Sequence, residues 1–83
     1  MLLTIVTPSE TVCNTEVESV TLPSVEGSFT VLHSHAPIIA LLTAGEIIYS
    51  AQGKEERLDI RSGFARVLHD NVEVCVEMER SEQ

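Results

Sequence analysis

The sequence predicts an all-β chain folded as a two-sheet β-sandwich, a flattened, jelly-roll-like barrel. Three observations carry this. Apolar residues recur with a period of two, no segment sustains a helical stripe, and turn residues punctuate the chain at short intervals. In chain order, Val20 and Leu22 alternate with Ser19, Thr21 and Pro23, the pattern of a strand with one face buried. The run Ile38–Leu42 is apolar throughout and too short to distinguish a strand from one helical turn. Gln52-Gly53-Lys54 separates Gly45–Ala51 from Glu55–Ile60 as a hairpin loop, and within the second segment Leu58 and Ile60 alternate with Arg57, Asp59 and Arg61. His69-Asp70-Asn71 then separates Phe64–Leu68 from a last strand, where Val72, Val74, Val76 and Met78 alternate with Glu73, Cys75, Glu77 and Glu79. Pro8, Pro23 and Pro37 are expected at strand ends or in connections, where a missing amide donor does not interrupt a ladder. Short strands at this spacing build a sandwich or barrel.

Eighty-three residues make one domain, expected over residues 1–80, with Ser81-Glu82-Gln83 as a flexible tail. An apolar fraction of 43% is too high for a disordered chain. Thirteen acidic against five basic side chains give a net charge of −8, which repels nucleic-acid phosphates and anionic lipid headgroups. All the cations lie beyond residue 53, so the preceding stretch carries five acids and no base, and a charged partner of that half is basic. The apolar start Met1–Val6 lacks a basic segment before it and breaks at Thr7-Pro8 and Glu10, so no signal peptide is expected. The longest apolar stretch, Ala36 to Ala44, is too short to span a bilayer, and no direct membrane insertion is expected. Two cysteines, Cys13 and Cys75, are too sparse for a secreted disulfide scaffold and read as reduced small core residues.

Few constellations carry chemistry. His33-Ser34-His35 would place two imidazoles on one side of a strand, and Gly27, five residues and then His-x-His resembles the opening of the cupin metal motif. A small cupin-like metal-binding protein using His33 and His35 is therefore the alternative reading. The glutamate expected shortly after is replaced by Ile38, Ile39, Ala40 and Leu41, and two ligands leave a metal shell incomplete. No serine lies in a Gly-x-Ser-x-Gly elbow, and neither cysteine has a basic neighbour. Glu16 and Glu18 fall on one face of a strand, where solvation accounts for them. Gly27 opens no phosphate loop, because the Gly-Lys-Ser/Thr ending is missing. No catalytic residue, metal or cofactor is expected.

A binding surface remains. Ile5-Val6-Thr7-Pro8, Glu16-Val17-Glu18-Ser19-Val20, Pro23, Glu26-Gly27, Phe29, Val31-Leu32 and His35-Ala36-Pro37 follow one another in an order that resembles the epsilon-subunit family of F-type ATP synthases. The likeness resumes at Gly45 and ends in Ser62-Gly63-Phe64 and Asn71-Val72-Glu73-Val74, covering nearly the whole chain. It implies a non-catalytic sandwich at the foot of a rotor, a monomer within the complex, coupling c-ring rotation to the gamma subunit for ATP synthesis. Its place would be peripheral, on the cytoplasmic face of the bacterial inner membrane. By that likeness Glu26, Gly27, Ser28 and Phe29 face the c-ring, while Thr7, His35, Ala36, Pro37 and Ile38 contact gamma.

The chain departs from the family at Ser28 and Thr30, where an acidic residue and a glycine are usual, and at His33-Ser34, where a Pro-Gly pair is usual. Members commonly continue into a C-terminal helical hairpin that restrains ATP hydrolysis. The sequence ends after one strand and a short tail, so the expectation is coupling without that brake.

Overall fold

The structure, a computed structural model, describes residues 1–78. Eight strands follow in order: β1 (Leu2–Val6), β2 (Thr11–Glu16), β3 (Ser19–Ser24), β4 (Gly27–Leu32), β5 (Ile38–Leu42), β6 (Gly45–Ala51), β7 (Lys54–Leu68) and β8 (Asn71–Met78). Hydrogen bonding links them along the path β2-β1-β8-β7-β5-β3-β4, with β6 bridging β3 and β7. All pairings are antiparallel except β1 with β8. A pleated sheet sends alternate side chains to opposite faces, and here one face is apolar on strand after strand. With no helix among the described residues to cover that face, the sheet covers it by folding over itself. Leu3, Ile5, Val72, Val74, Ala65 and Val67 from one portion thereby join Val20, Leu22, Val31 and Ile47 from the other in a single buried cluster.

The fold-over runs through β7. Its first half, Lys54–Ile60, pairs with β6, while its second half pairs with β5 on one side and β8 on the other. The Glu55–Ile60 and Phe64–Leu68 segments that the sequence delimits separately are thus one strand of 15 residues, bent where the register with β8 shifts between Ile60 and Ser62. Bulges increase local twist and let a strand serve two layers. Just beyond the bend, a Cβ on Gly63 would collide with the Cys75 carbonyl and lie 3.0 Å from Val76 Cα, so only glycine permits this approach of β8. Ile38–Leu42, undecided in sequence, is a strand in full register with β7.

Several sequence expectations need correction. The hairpin turns are two residues long, with Lys54 and Asn71 already in strands. Gln52 and Gly53 (φ 54° and 79°) form one turn, His69 and Asp70 (φ 52° and 62°) the other. Positive φ at both central positions matches the strand twist. Pro23 lies inside β3, buried, opposite Ser28. Its carbonyl accepts from Thr43 N (2.8 Å), so its missing N–H falls where β3 leaves β6 for β5 and no ladder bond is lost. Cys75 is not in the core but exposed on the outer face, and Cys13 is half-buried; both are free thiols. Glu16 and Glu18 do not share a strand: Glu16 ends β2, whereas Glu18 lies in the connection and accepts from Ser50 Oγ and Gln52 N, both at 3.1 Å, steadying the β6–β7 hairpin. The expected tail at 81–83 lies outside the described residues.

Candidate functional site

Strand alternation splits the apolar run of β5. Leu42 is buried (4% exposed) and Ile38 packs against the core, whereas Ile39 (73%) and Leu41 (65%) project outward. The register then assembles an outer patch: Leu41 stands opposite Phe64, Phe64 opposite Cys75, and Cys75 opposite Val6. One row along, Ile39 stands opposite Arg66, and Arg66 Nη2 donates to Glu73 Oε1 at 2.7 Å, bordering the apolar row with a paired charge. Phe64 (45% exposed) and Leu68 add large apolar surface on β7. Scattered exposed apolar side chains are ordinary; a contiguous group on one rigid sheet face marks a contact surface.

The second feature is the β3–β4 turn. Glu26 N–H donates to Ser24 Oγ (2.9 Å), and the chain reverses through Val25 and Glu26 into Gly27, whose φ of 119° is accessible to glycine. Glu26, Gly27 and Ser28 are exposed, while Phe29 turns inward against the core, its ring centroid 6.5 Å from that of His35. Val25 N donates to the Leu41 carbonyl (3.0 Å), which pins the turn to the end of β5. Between β4 and β5 lies a groove of about 480 Å³ bordered by residues 24–29 and 38–41.

The structure therefore brings Glu26, Gly27, Ser28 and Phe29 beside His35 and Ile38, two groups that the sequence assigned to different partners. It does not bring Thr7 to them. Thr7 follows Val6 in the Leu41 row, whereas Ile38 shares a row with Val67, Val72 and Leu3, several residues away along the strands. Thr7 Oγ1 instead accepts from Ser9 N and Glu10 N at 3.3 and 3.2 Å and shapes the β1–β2 turn. Ala36 and Pro37 are exposed in the β4–β5 connection. Ile38 is half-buried and inward, and the apolar side chains that β5 exposes are instead Ile39 and Leu41. Phe64, Leu68 and Val25 were missed because only cross-strand register places them beside β5; the alternation within Ile38–Leu42 was the signal that could have separated Ile39 and Leu41.

The same-side argument for His33 and His35 fails, because both lie beyond β4 and the backbone turns at Ser34 (φ 69°). His33 Nδ1 faces Asp70 Oδ1 at 3.3 Å, and Ser34 N donates to the same oxygen at 3.4 Å. His35 Nδ1–H donates to the Ala36 carbonyl at 2.7 Å. Nothing converges between the imidazoles, and no cluster of three or more metal-ligating side chains occurs among the described residues. The neighbouring Cys13 side chain, with burial adding to it, pushes the Tyr49 phenol up to about 12. No helix among the described residues is long and apolar enough to cross a membrane.

Comparison with known proteins agrees with this architecture. Residues 1–80 match the family described as the beta-sandwich domain of the ATP synthase delta/epsilon chain. The ATP synthase epsilon chain of Nitratidesulfovibrio vulgaris is 41% identical over 81 residues, spanning 96% of this chain and 60% of that protein. That of Helicobacter pylori is 37% identical over 75 residues, spanning 90% and 61%. The chain thus spans about 60% of the length of these curated relatives. Among solved structures, a chain of the Euglena gracilis mitochondrial ATP synthase (OSCP/F1/c-ring) superposes with a TM-score of 0.86 at 25% identity, over 92% of this chain and 49% of that one. A chain of the Tetrahymena thermophila mitochondrial ATP synthase central stalk and c-ring shares the fold, with a TM-score of 0.79 at 17% identity, over 93% and 63%. With the family match covering nearly the whole sequence and the double-layered sheet to accompany it, this chain belongs to the ATP synthase delta/epsilon chain beta-sandwich family.

Proposed function

We propose that this domain is the non-catalytic coupling body of an epsilon subunit in the central stalk of an F-type ATP synthase. It transmits torque between the c-ring and gamma, and sits peripherally on the cytoplasmic face of a bacterial inner membrane. The observation that carries the reading is the placement of an exposed apolar face, Ile39, Leu41, Phe64 and Leu68, next to a polar turn on one doubly layered sheet. Torque transfer needs two contacts held rigidly with respect to each other, and a close-packed interior transmits strain with little yield. The apolar face suits gamma, with His35, Ala36 and Pro37 at its border. The polar turn, Glu26, Gly27 and Ser28 backed by Phe29, suits the loops of a c-ring. Sequence similarity to epsilon chains supports this assignment.

Reconstitution tests it. Adding the purified chain to a synthase depleted of epsilon is expected to restore ATP-driven proton pumping and to retain gamma on co-purification. Failure to bind gamma, with the chain folded, would overturn the reading.

A further inference from the structure

Beyond torque transfer, the strand edges that flank the groove form a docking slot. β5 uses only one of its edges fully. It pairs with β7 over all five residues but meets β3 only at Ser24–Leu42. In an antiparallel ladder the N–H and C=O of one residue point to the same side, alternating along the strand. The Leu41 carbonyl accepts from Val25 N, so the polar groups of Leu41 and, two residues back, Ile39 point away from β7 and into the groove. β4 likewise pairs only with β3, leaving its other edge open.

Natural edge strands are usually blunted by a lysine, a proline or an inward charge, since bare edges recruit other chains. β2, at the far end of the sheet, carries Asn14 and Glu16, and β4 presents Ser28 and Thr30. β5 reads Ile-Ile-Ala-Leu-Leu with no charge and no proline, and it bears two of the most exposed large apolar side chains of the domain. β4, Gly-Ser-Phe-Thr-Val-Leu, carries no charge or proline either, so both strand edges that border the groove lack those safeguards, and β5 is the more apolar of the two. The charged side chain bordering the groove is Glu26, and no lysine or arginine precedes Lys54 in the sequence.

We propose that the groove between β4 and β5 accepts an extended segment of a partner protein as an added strand. The segment pairs its backbone with Ile39 and with the Leu41 N–H, the Leu41 carbonyl being held already by Val25 N. It places apolar side chains at alternate positions against Phe29, Ile38 and Val25, and carries a lysine or arginine that meets Glu26. Backbone pairing supplies affinity, and the alternate pockets with the single carboxylate supply specificity. The inference rests on the strand edges and stands independently of which subunit supplies the segment.

The test uses the isotopically labelled 83-residue chain and a synthetic peptide, acetyl-Lys-Thr-Val-Thr-Val-Thr-Val-amide, followed by amide resonances and hydrogen exchange. The expected result is saturable shifts at residues 24–29 and 38–41, with protection gained at the Ile39 and Leu41 amides. Ile39→Pro deletes an N–H that does not face β7, so the fold tolerates it, and binding weakens about tenfold or more. Ile39→Thr, which keeps the N–H, retains most of the affinity. A peptide N-methylated at alternate amides supplies the same deletion from the ligand side should Ile39→Pro fail to fold. Replacing the peptide lysine by glutamate, or Glu26 by lysine, weakens binding. Shifts absent at Ile39 and Leu41, equal binding by both N-methylated registers, or indifference to the peptide charge would overturn the proposal.

Discussion

Replacing Leu41 and Leu42 one at a time by threonine separates contact surface from core at adjacent positions. Threonine is a good strand former, so both variants keep the backbone preference of β5 and differ only in what the side chain faced. Leu42 is 4% exposed, so the change removes about 1.5–3 kcal/mol of apolar burial. It also buries a hydroxyl without a partner, at about 1–3 kcal/mol. The expected loss is therefore about 3–5 kcal/mol. That is a large share of the roughly 4–12 kcal/mol available to a chain of 83 residues at about 0.05–0.15 kcal/mol each. A loss of this size lowers the melting temperature by about 12 °C or more. Leu41 is 65% exposed, and the same change is expected to alter stability by no more than about 0.5 kcal/mol. On the proposed function its effect falls on binding, where truncating a central contact is expected to weaken gamma association about fivefold or more. Urea melts followed by circular dichroism measure the first quantity, and titration with purified gamma the second. If Leu41→Thr unfolds the domain as readily as Leu42→Thr, the facing of β5 is wrong and the interface argument falls with it.

Gly63→Ala is expected to cost about 2–4 kcal/mol in denaturant melts, because the new methyl meets the Cys75 backbone and no side-chain rotation relieves it; an unchanged midpoint would show that β7 and β8 do not approach so closely. Asp70→Gly is expected to stabilise the domain by about 0.5–1 kcal/mol, since relief of a left-handed aspartate (φ 62°) outweighs the exposed contacts to His33 and Ser34; a destabilised variant would mean that the carboxylate tether matters more than the turn. The chain has one tyrosine, so phenolate absorbance follows Tyr49 directly, with a midpoint expected near 12. A folded value above the unfolded 10.0 means that the folded state holds the proton longer: the contribution to stability is complete below pH 10 and disappears as pH rises through about 12. Cys13→Ala should lower the midpoint, and a midpoint that stays put would show that the thiol is not the cause.

The period-two pattern by itself determined that this chain is all β, because a strand's faces are written in the parity of its residues: Val72, Val74 and Val76 could only be buried together. It also located the turns to within a residue, since the hairpins at Gln52-Gly53 and His69-Asp70 fall within tripeptides rich in turn formers. Resemblance carried the family, because ordered matches such as Glu26-Gly27 and His35-Ala36-Pro37 survive without knowledge of any contact. What only the tertiary structure decided is which residues meet. Leu41 and Leu42 are identical in composition, and their roles separate only when β5 pairs with β7 in one register out of several. Phe64 lies more than twenty positions from Leu41 and joins it solely through that pairing, while the bend of β7 that lets one strand serve two layers depends on the unsidechained approach of Gly63 to β8. Cys75 was misjudged for the same reason. Residue type and spacing state what a side chain can do, and the long-range hydrogen-bond register states where it points.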